Sequence, residues 1–243
     1  MPATIEPAVV GLRGKFGGTT MTAIGVSVGS QCRRGESGRA VLILPALAIA
    51  LSMVALVLTG CTTTLASRPD YIVTSGGGGL PLQGEAVIVM DNGLRDQVIT
   101  AHPESVTGAA TSIVLPIGQI IRDVSTKILG PVFAGGASVA ATPRPNAYGV
   151  LLRLDSFSFK YDQLSNLGFA ITPKVSVAMT IEAVDADGKK LFRRTYQRKD
   201  YSSGAYVASL QPAEKINKNL HLALGEIFRD VSDDLRAARS KSP

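Results

Sequence analysis

The sequence predicts an α+β fold, a mainly antiparallel sheet with two amphipathic helices packed on one face, in the order β-α-β-β-β-α. Three observations carry this expectation. Apolar residues alternate along 148–161 and 175–181, the period of strands with one buried face. Apolar residues at 3.6-residue spacing mark two helices, within 117–128 and 216–235. Asp187-Gly188 joins two extended runs as a hairpin turn.

Taken in order, 85–90 (EAVIVM) is a short apolar strand closed by the turn cluster Asp91-Asn92-Gly93. An ambiguous, partly extended stretch follows. Pro116 then leads a helix that places Ile117, Ile120, Ile121, Val124 and Ile128 on one face, and Gly130-Pro131 ends it. Gly135-Gly136, Pro143 and Pro145 mark a loop.

In 148–161 the alternation changes phase. Val150, Leu152 and Leu154 share one parity and Phe157, Phe159 and Tyr161 the other, so a bulge is expected near Asp155-Ser156. Val175, Val177, Met179 and Ile181 form the next strand. A two-residue type I′ turn at Asp187-Gly188 sets Glu182 opposite Arg193, Asp185 opposite Lys190, Ala183 opposite Phe192 and Met179 opposite Tyr196. Pro212 opens the last helix, with Ile216, Leu220, Ala223, Ile227, Val231 and Leu235 as its apolar stripe and Lys215, Lys218, Glu226 and Arg229 off it. Such an order of elements suits one domain with its helices covering a sheet.

The chain has 243 residues, 45% hydrophobic and 18% charged, with two Cys and two His. That excludes a wholly disordered chain, a disulfide scaffold and a Cys-rich zinc module. The apolar content is concentrated in residues 40–60, which carry no charge and follow Arg33, Arg34 and Arg39. Basic residues, an apolar run and small residues at the exit form the pattern of a secretory signal, and Met21 is a second candidate start. A G-x-S-x-G match at 25–29 falls in this leader without the strand-turn-helix context a nucleophile needs.

The exit reads Leu58-Thr59-Gly60-Cys61. It resembles the lipobox of bacterial lipoproteins, which implies cleavage after Gly60, diacylglycerol on the Cys61 sulfur and an N-acyl chain on the new amino terminus. Two or more chains hold a protein stably on a bilayer, where one does not. The expected organisation is therefore a signal peptide over 1–60, a lipidated Cys61 with a flexible Gly-rich tether over 61–84, a periplasmic α+β domain over 85–238, and a tail over 239–243. The competing reading is an uncleaved signal anchor in the inner membrane with Cys61 unmodified, since residues 40–60 are long enough to span.

With the lipobox, the Pro-led helix, the hairpin and the closing helix, the chain resembles small Gram-negative envelope lipoproteins of the YajG-like and ABC-transport auxiliary types. The resemblance implies outer-membrane attachment facing the periplasm. Thr62, in place of Asp, resembles the sorting pattern for release to that membrane. It carries over no catalytic residue.

Five of the 25 Lys+Arg and two of the 19 Asp+Glu precede Cys61, so the net charge falls from +6 to +3 in the processed chain. That surplus, in an exported protein, argues against a nucleic-acid partner. Neither His102, beside Pro103, nor His221, between Leu220 and Leu222, is placed as a base next to a nucleophile, so no catalytic and no metal-binding residue is assigned. Asp185 and Asp187 are read as turn residues, because Gly188 follows at once and the spaced oxygen ligands of a calcium loop are missing.

The candidate partner-binding residues are Lys190, Arg193, Arg194, Tyr196, Arg198 and Lys199, on the arm after the hairpin turn. They could grip anionic lipid, peptidoglycan or an acidic envelope protein. The favoured reading is that they keep an edge strand soluble and unpaired, since Glu182 and Asp185 stand opposite them. The expected function is that of a lipid-anchored accessory or assembly component of an envelope complex, without catalysis and without a cofactor beyond its own acyl chains. A small envelope hydrolase is the alternative.

Overall fold

A computed structural model of the chain describes residues 62–73, 79–105, 111–162, 171–204 and 212–240. The signal segment 1–60, Met21, Cys61, the glycines at 76–78 and residues 241–243 lie outside the described residues. In chain order the elements are β1 (Thr62–Thr64), β2 (Ala86–Val89), α1 (Asn92–Arg95), β3 (Ile99–Ala101), β4 (Ser112–Leu115), α2 (Ile117–Leu129), β5 (Ala137–Ala140), β6 (Tyr148–Asp162), β7 (Thr172–Val184), β8 (Lys190–Tyr201) and α3 (Pro212–Ser240). Single 3-10 turns occupy Pro69–Tyr71 and Gly130–Val132.

The fold is α+β, with its main sheet in the order β5-β2-β6-β7-β8. Strands β6, β7 and β8 form the expected antiparallel meander. Strand β2 runs parallel to both neighbours, β5 and β6. The sequence gives the reason: the connection from β2 to β5 carries α2 and is long enough for a crossover. All four β2 residues are buried, so the strand reads as a continuous apolar run rather than an alternating one. Strand β5 falls where the glycines and prolines suggested only a loop, and β1, β4 and β3 form a second, three-stranded sheet from stretches without clear periodicity.

Both long helices cover one face of the main sheet. Ile117, Ile120, Ile121, Val124 and Leu129 of α2 and Ile216, Leu220, Ala223, Ile227, Val231 and Leu235 of α3 are fully buried with Val150, Phe159, Val175, Val177, Met179 and Ile181. Helix α2 begins where Pro116 places it, and its end tightens into the turn at Gly130–Val132. Gly118 is required there. A Cβ at this position would stand 2.1 Å from the Leu94 carbonyl oxygen, so only glycine lets α2 approach α1.

The phase change in β6 is a bulge, with the register shifting between Leu154 and Ser156. On the open face the bulged Asp155 accepts hydrogen bonds from Thr180 Oγ1 (2.7 Å) and Arg153 Nε (2.8 Å).

The β7–β8 turn is a correction. Gly188 N–H bonds to Asp185 O, Asp185 N–H bonds to Lys189 O, and Gly188 has φ of +79°. That is a three-residue loop with glycine in the left-handed position, not a two-residue type I′ turn. Lys190 therefore faces Val184 instead of Asp185. An irregularity between Ala183 and Val184 restores the register, and Ala183–Phe192, Glu182–Arg193 and Met179–Tyr196 stand opposite each other as expected.

Residues 62–73, read as part of a tether, are packed into the domain. Strand β1 pairs in parallel with β4, and Leu65 and Ile72 are buried in the main core. Among the described residues, packing thus begins at Thr62, 23 residues before Glu85.

Candidate functional site

Two regions carry the sequence-level candidates: the strap 62–73, which follows directly on Cys61, and the basic strand β8. Each lies against α3.

The strap is tied down along its length. Thr62 Oγ1 and Ser112 Oγ share a hydrogen bond of 2.9 Å, and Leu65 N–H donates to Val114 O at 2.9 Å. Ser67 Oγ donates to Asp123 of α2 at 2.7 Å, and Lys127 Nζ to the Pro69 carbonyl at 2.8 Å. From α3, Asn217 Nδ2 donates to the Ala66 carbonyl at 2.9 Å, and Arg229 reaches the Val73 carbonyl at 3.1 Å.

His221 is the centre of this arrangement. It is completely buried, and its Nε2 accepts the Arg68 backbone N–H at 2.9 Å while Nδ1–H donates to the Asn217 carbonyl at 2.8 Å. These partners fix the neutral imidazole with its proton on Nδ1. The Tyr71 ring meets it edge-on at 5.7 Å. Burial holds the imidazole below its ordinary titration range, with the Asn217 carbonyl and the nearby Asp70 and Asp123 acting against that shift. Neither nitrogen is left to take a proton from a substrate.

His102 lies at the surface, with its Nδ1 3.3 Å from the Thr111 carbonyl. Clefts of about 290, 480 and 400 Å³ among the described residues are lined at the β8–α3 end, along α2 and beside β1, and none of the three holds a histidine. No cluster of three His, Cys, Asp or Glu among the described residues is grouped as a metal site requires.

Strand β8 is an edge of the main sheet, and most of its charge meets a counter-charge within the chain. Lys190 Nζ lies 2.9 Å and Arg193 Nε 3.9 Å from Glu182. Arg194 pairs with Asp234, and the Tyr196 hydroxyl donates to the other oxygen of the same carboxylate at 2.6 Å. Arg198 bridges two turns of α3, at 2.9 Å from Glu226 and 2.6 Å from Asp230. Burial and the hydrogen bond to Asp234 push the Tyr196 hydroxyl far above its ordinary titration. The row Glu226, Asp230, Asp234 recurs every four residues on α3, so the basic strand and the acidic helix face form one ladder.

Sequence reasoning found these cations and Glu182 opposite Arg193, but not Glu226, Asp230 and Asp234 of α3 as their partners. It also passed over the strap, although Asn217 and His221, one turn apart beside the apolar stripe of α3, are a signal that a buried helix face bonds something polar.

The described molecule is a mixed-sheet α+β domain with an N-terminal strap locked under its C-terminal helix. No family model and no curated protein matches the chain. Among solved structures it is similar to a Xanthomonas campestris protein described under the family name DUF330, at 12% identity and a TM-score of 0.46, over 74% of this chain and 98% of that one. It is also similar to a minor lipoprotein from Acinetobacter baumannii, at 8% identity and a TM-score of 0.34, over 64% and 94%.

Proposed function

We propose that the chain is a lipid-anchored, periplasm-facing accessory or assembly protein of a cell-envelope complex, held on the outer membrane by acyl chains on Cys61. The observation that carries this reading is the sequence Leu58-Thr59-Gly60-Cys61 at the end of an uncharged apolar run preceded by three arginines. Thr62 rather than Asp follows the cysteine, in keeping with release from the inner membrane. No helix among the described residues is long and apolar enough to cross a membrane. The buried imidazole of His221, with both nitrogens engaged, serves to hold the strap rather than as a free base.

Labelling cells with radioactive palmitate tests the anchor. The wild-type chain incorporates label and Cys61→Ser does not. Equal incorporation, or none in either, overturns the lipoprotein reading.

A further inference from the structure

We infer that no free leash separates the anchor from the domain: the strap 62–73 couples Cys61 directly to the fold and seats the β1 end of the domain on the phospholipid headgroups. The inference rests on the lipoprotein reading and makes it more specific.

One peptide unit, about 3.8 Å between Cα atoms, separates Cys61 from Thr62. Thr62 is already in register with Ser112, and every stretch of the strap after it bonds to β4, α2 or α3. A lipid on Cys61 therefore has no slack. The glycines at 76–78 come after the strap in sequence and do not lie between anchor and domain.

The orientation follows. Thr63 and Thr64 line a cleft with Ala213 and Glu214, so the anchor leaves beside the start of α3. The other end of α3 lies with Lys189, Lys190 and Arg194 near the β7–β8 turn. Helix α3 has 29 residues, about 43 Å at 1.5 Å each. The anchored end and the hairpin turn are thus separated by most of the length of α3. The turn and the β8 residues beside it point into the compartment, away from the lipid.

Two experiments test this on the full, acylated chain. In the first, a protease site replaces residues 76–78, and washed membranes are cleaved. Cut domain stays in the pellet in native buffer, held by the strap, and is released in urea. Release in native buffer overturns the inference. A site inserted between Cys61 and Thr62 is the control that frees the domain without urea. Membrane attachment before cleavage, together with the palmitate label, reports on the lipoprotein reading separately.

In the second, the absence of native Trp makes a single introduced Trp a clean probe. Purified acylated Thr63→Trp and Asp187→Trp are placed in phosphatidylethanolamine–phosphatidylglycerol vesicles with brominated acyl chains. Fluorescence is quenched at 63 and unchanged at 187. Equal quenching at both positions, or none at either, overturns the fixed seating.

Discussion

The strap and the basic edge strand are both bound to α3, one at its N-terminal half and the other along its C-terminal half, by contrasting means. The strap buries Leu65 and Ile72, and its backbone groups are taken up by a buried imidazole, a buried amide and the side chains of Lys127 and Arg229. Strand β8 meets α3 through Arg194, Tyr196 and Arg198, while Lys190 and Arg193 pair with Glu182 of β7; Lys190, Arg193 and Arg194 are more than half exposed. The difference matters energetically. Exposed ion pairs contribute roughly 0–1 kcal/mol each, whereas a buried polar group deprived of its partner costs about 1–3 kcal/mol. The conspicuous charges of β8 add little to a strand already held by its pairing with β7, whereas the inconspicuous polar groups around the strap are structural.

The largest expected effect comes from emptying the strap's core contact. Ile72 is 2% exposed and packs over Gly225 of α3 and beside Ile128 of α2. Ile72→Ala removes that packing and leaves a cavity, for a loss of about 2–4 kcal/mol in urea unfolding. After cleavage at 76–78 the same variant releases its domain more readily in native buffer. A loss below the range of a surface substitution would show that the strap is not part of the cooperative unit.

His221 gives the next largest effect and the only one with a pH signature. Its folded titration lies below the unfolded value of about 6.5. The unfolded chain therefore takes up a proton, as pH falls through 6.5, that the folded chain refuses. Stability from this group is complete above that value and declines below it, down to the folded titration point. Protonation at Nε2 would also remove the acceptor for the Arg68 N–H. His221→Gln is expected to lose about 1–3 kcal/mol at pH 7.5 and to flatten the decline between pH 7.5 and 5.5. Identical slopes in wild type and variant would sink this assignment.

These two regions also show what the sequence could and could not convey. Periodicity located α2 and α3 with their buried faces, the bulge at Asp155, and the β7–β8 pairs around Glu182–Arg193, because each depends on local spacing. It did not locate β1, β3 or β4. Their strands have three or four residues, too few for a period to emerge, and their pairing partners lie up to 50 residues away. The parallel setting of β2 was hidden for a related reason: strand direction depends on the path of the connection, not on the residues of the strand. The charges on β8 left docking open beside the favoured role of protecting a sheet edge, because the sequence sets Glu182 opposite Arg193 but does not show Glu226, Asp230 and Asp234 of α3 meeting the other cations.

Within the ladder, Arg198 is the strongest rung. Its side chain is 25% exposed and meets both Glu226 and Asp230, so Arg198→Met is expected to cost about 1 kcal/mol. Tyr196→Phe, which leaves one Asp234 oxygen without the hydroxyl, should cost about 0.5–1.5 kcal/mol. The effect of Arg198→Met should shrink in high salt, whereas that of Ile72→Ala should not, because a packing defect is not screened. A salt-independent Arg198→Met defect would mean that β8 is held to α3 by packing rather than by charge.

The smallest effect is expected at the distal tip of the arm. Lys190 and Arg193 share Glu182, and both are more than half exposed. Replacing the two together with Ser should change stability by no more than about 0.5 kcal/mol and leave membrane attachment unaltered. Such silence in folding is what makes the pair informative about binding. In a crosslinking capture from cells, a lost envelope partner with unchanged stability would assign the outward-pointing arm to docking. An unchanged capture pattern would leave these cations with the single task of keeping the edge of the sheet from pairing with another chain.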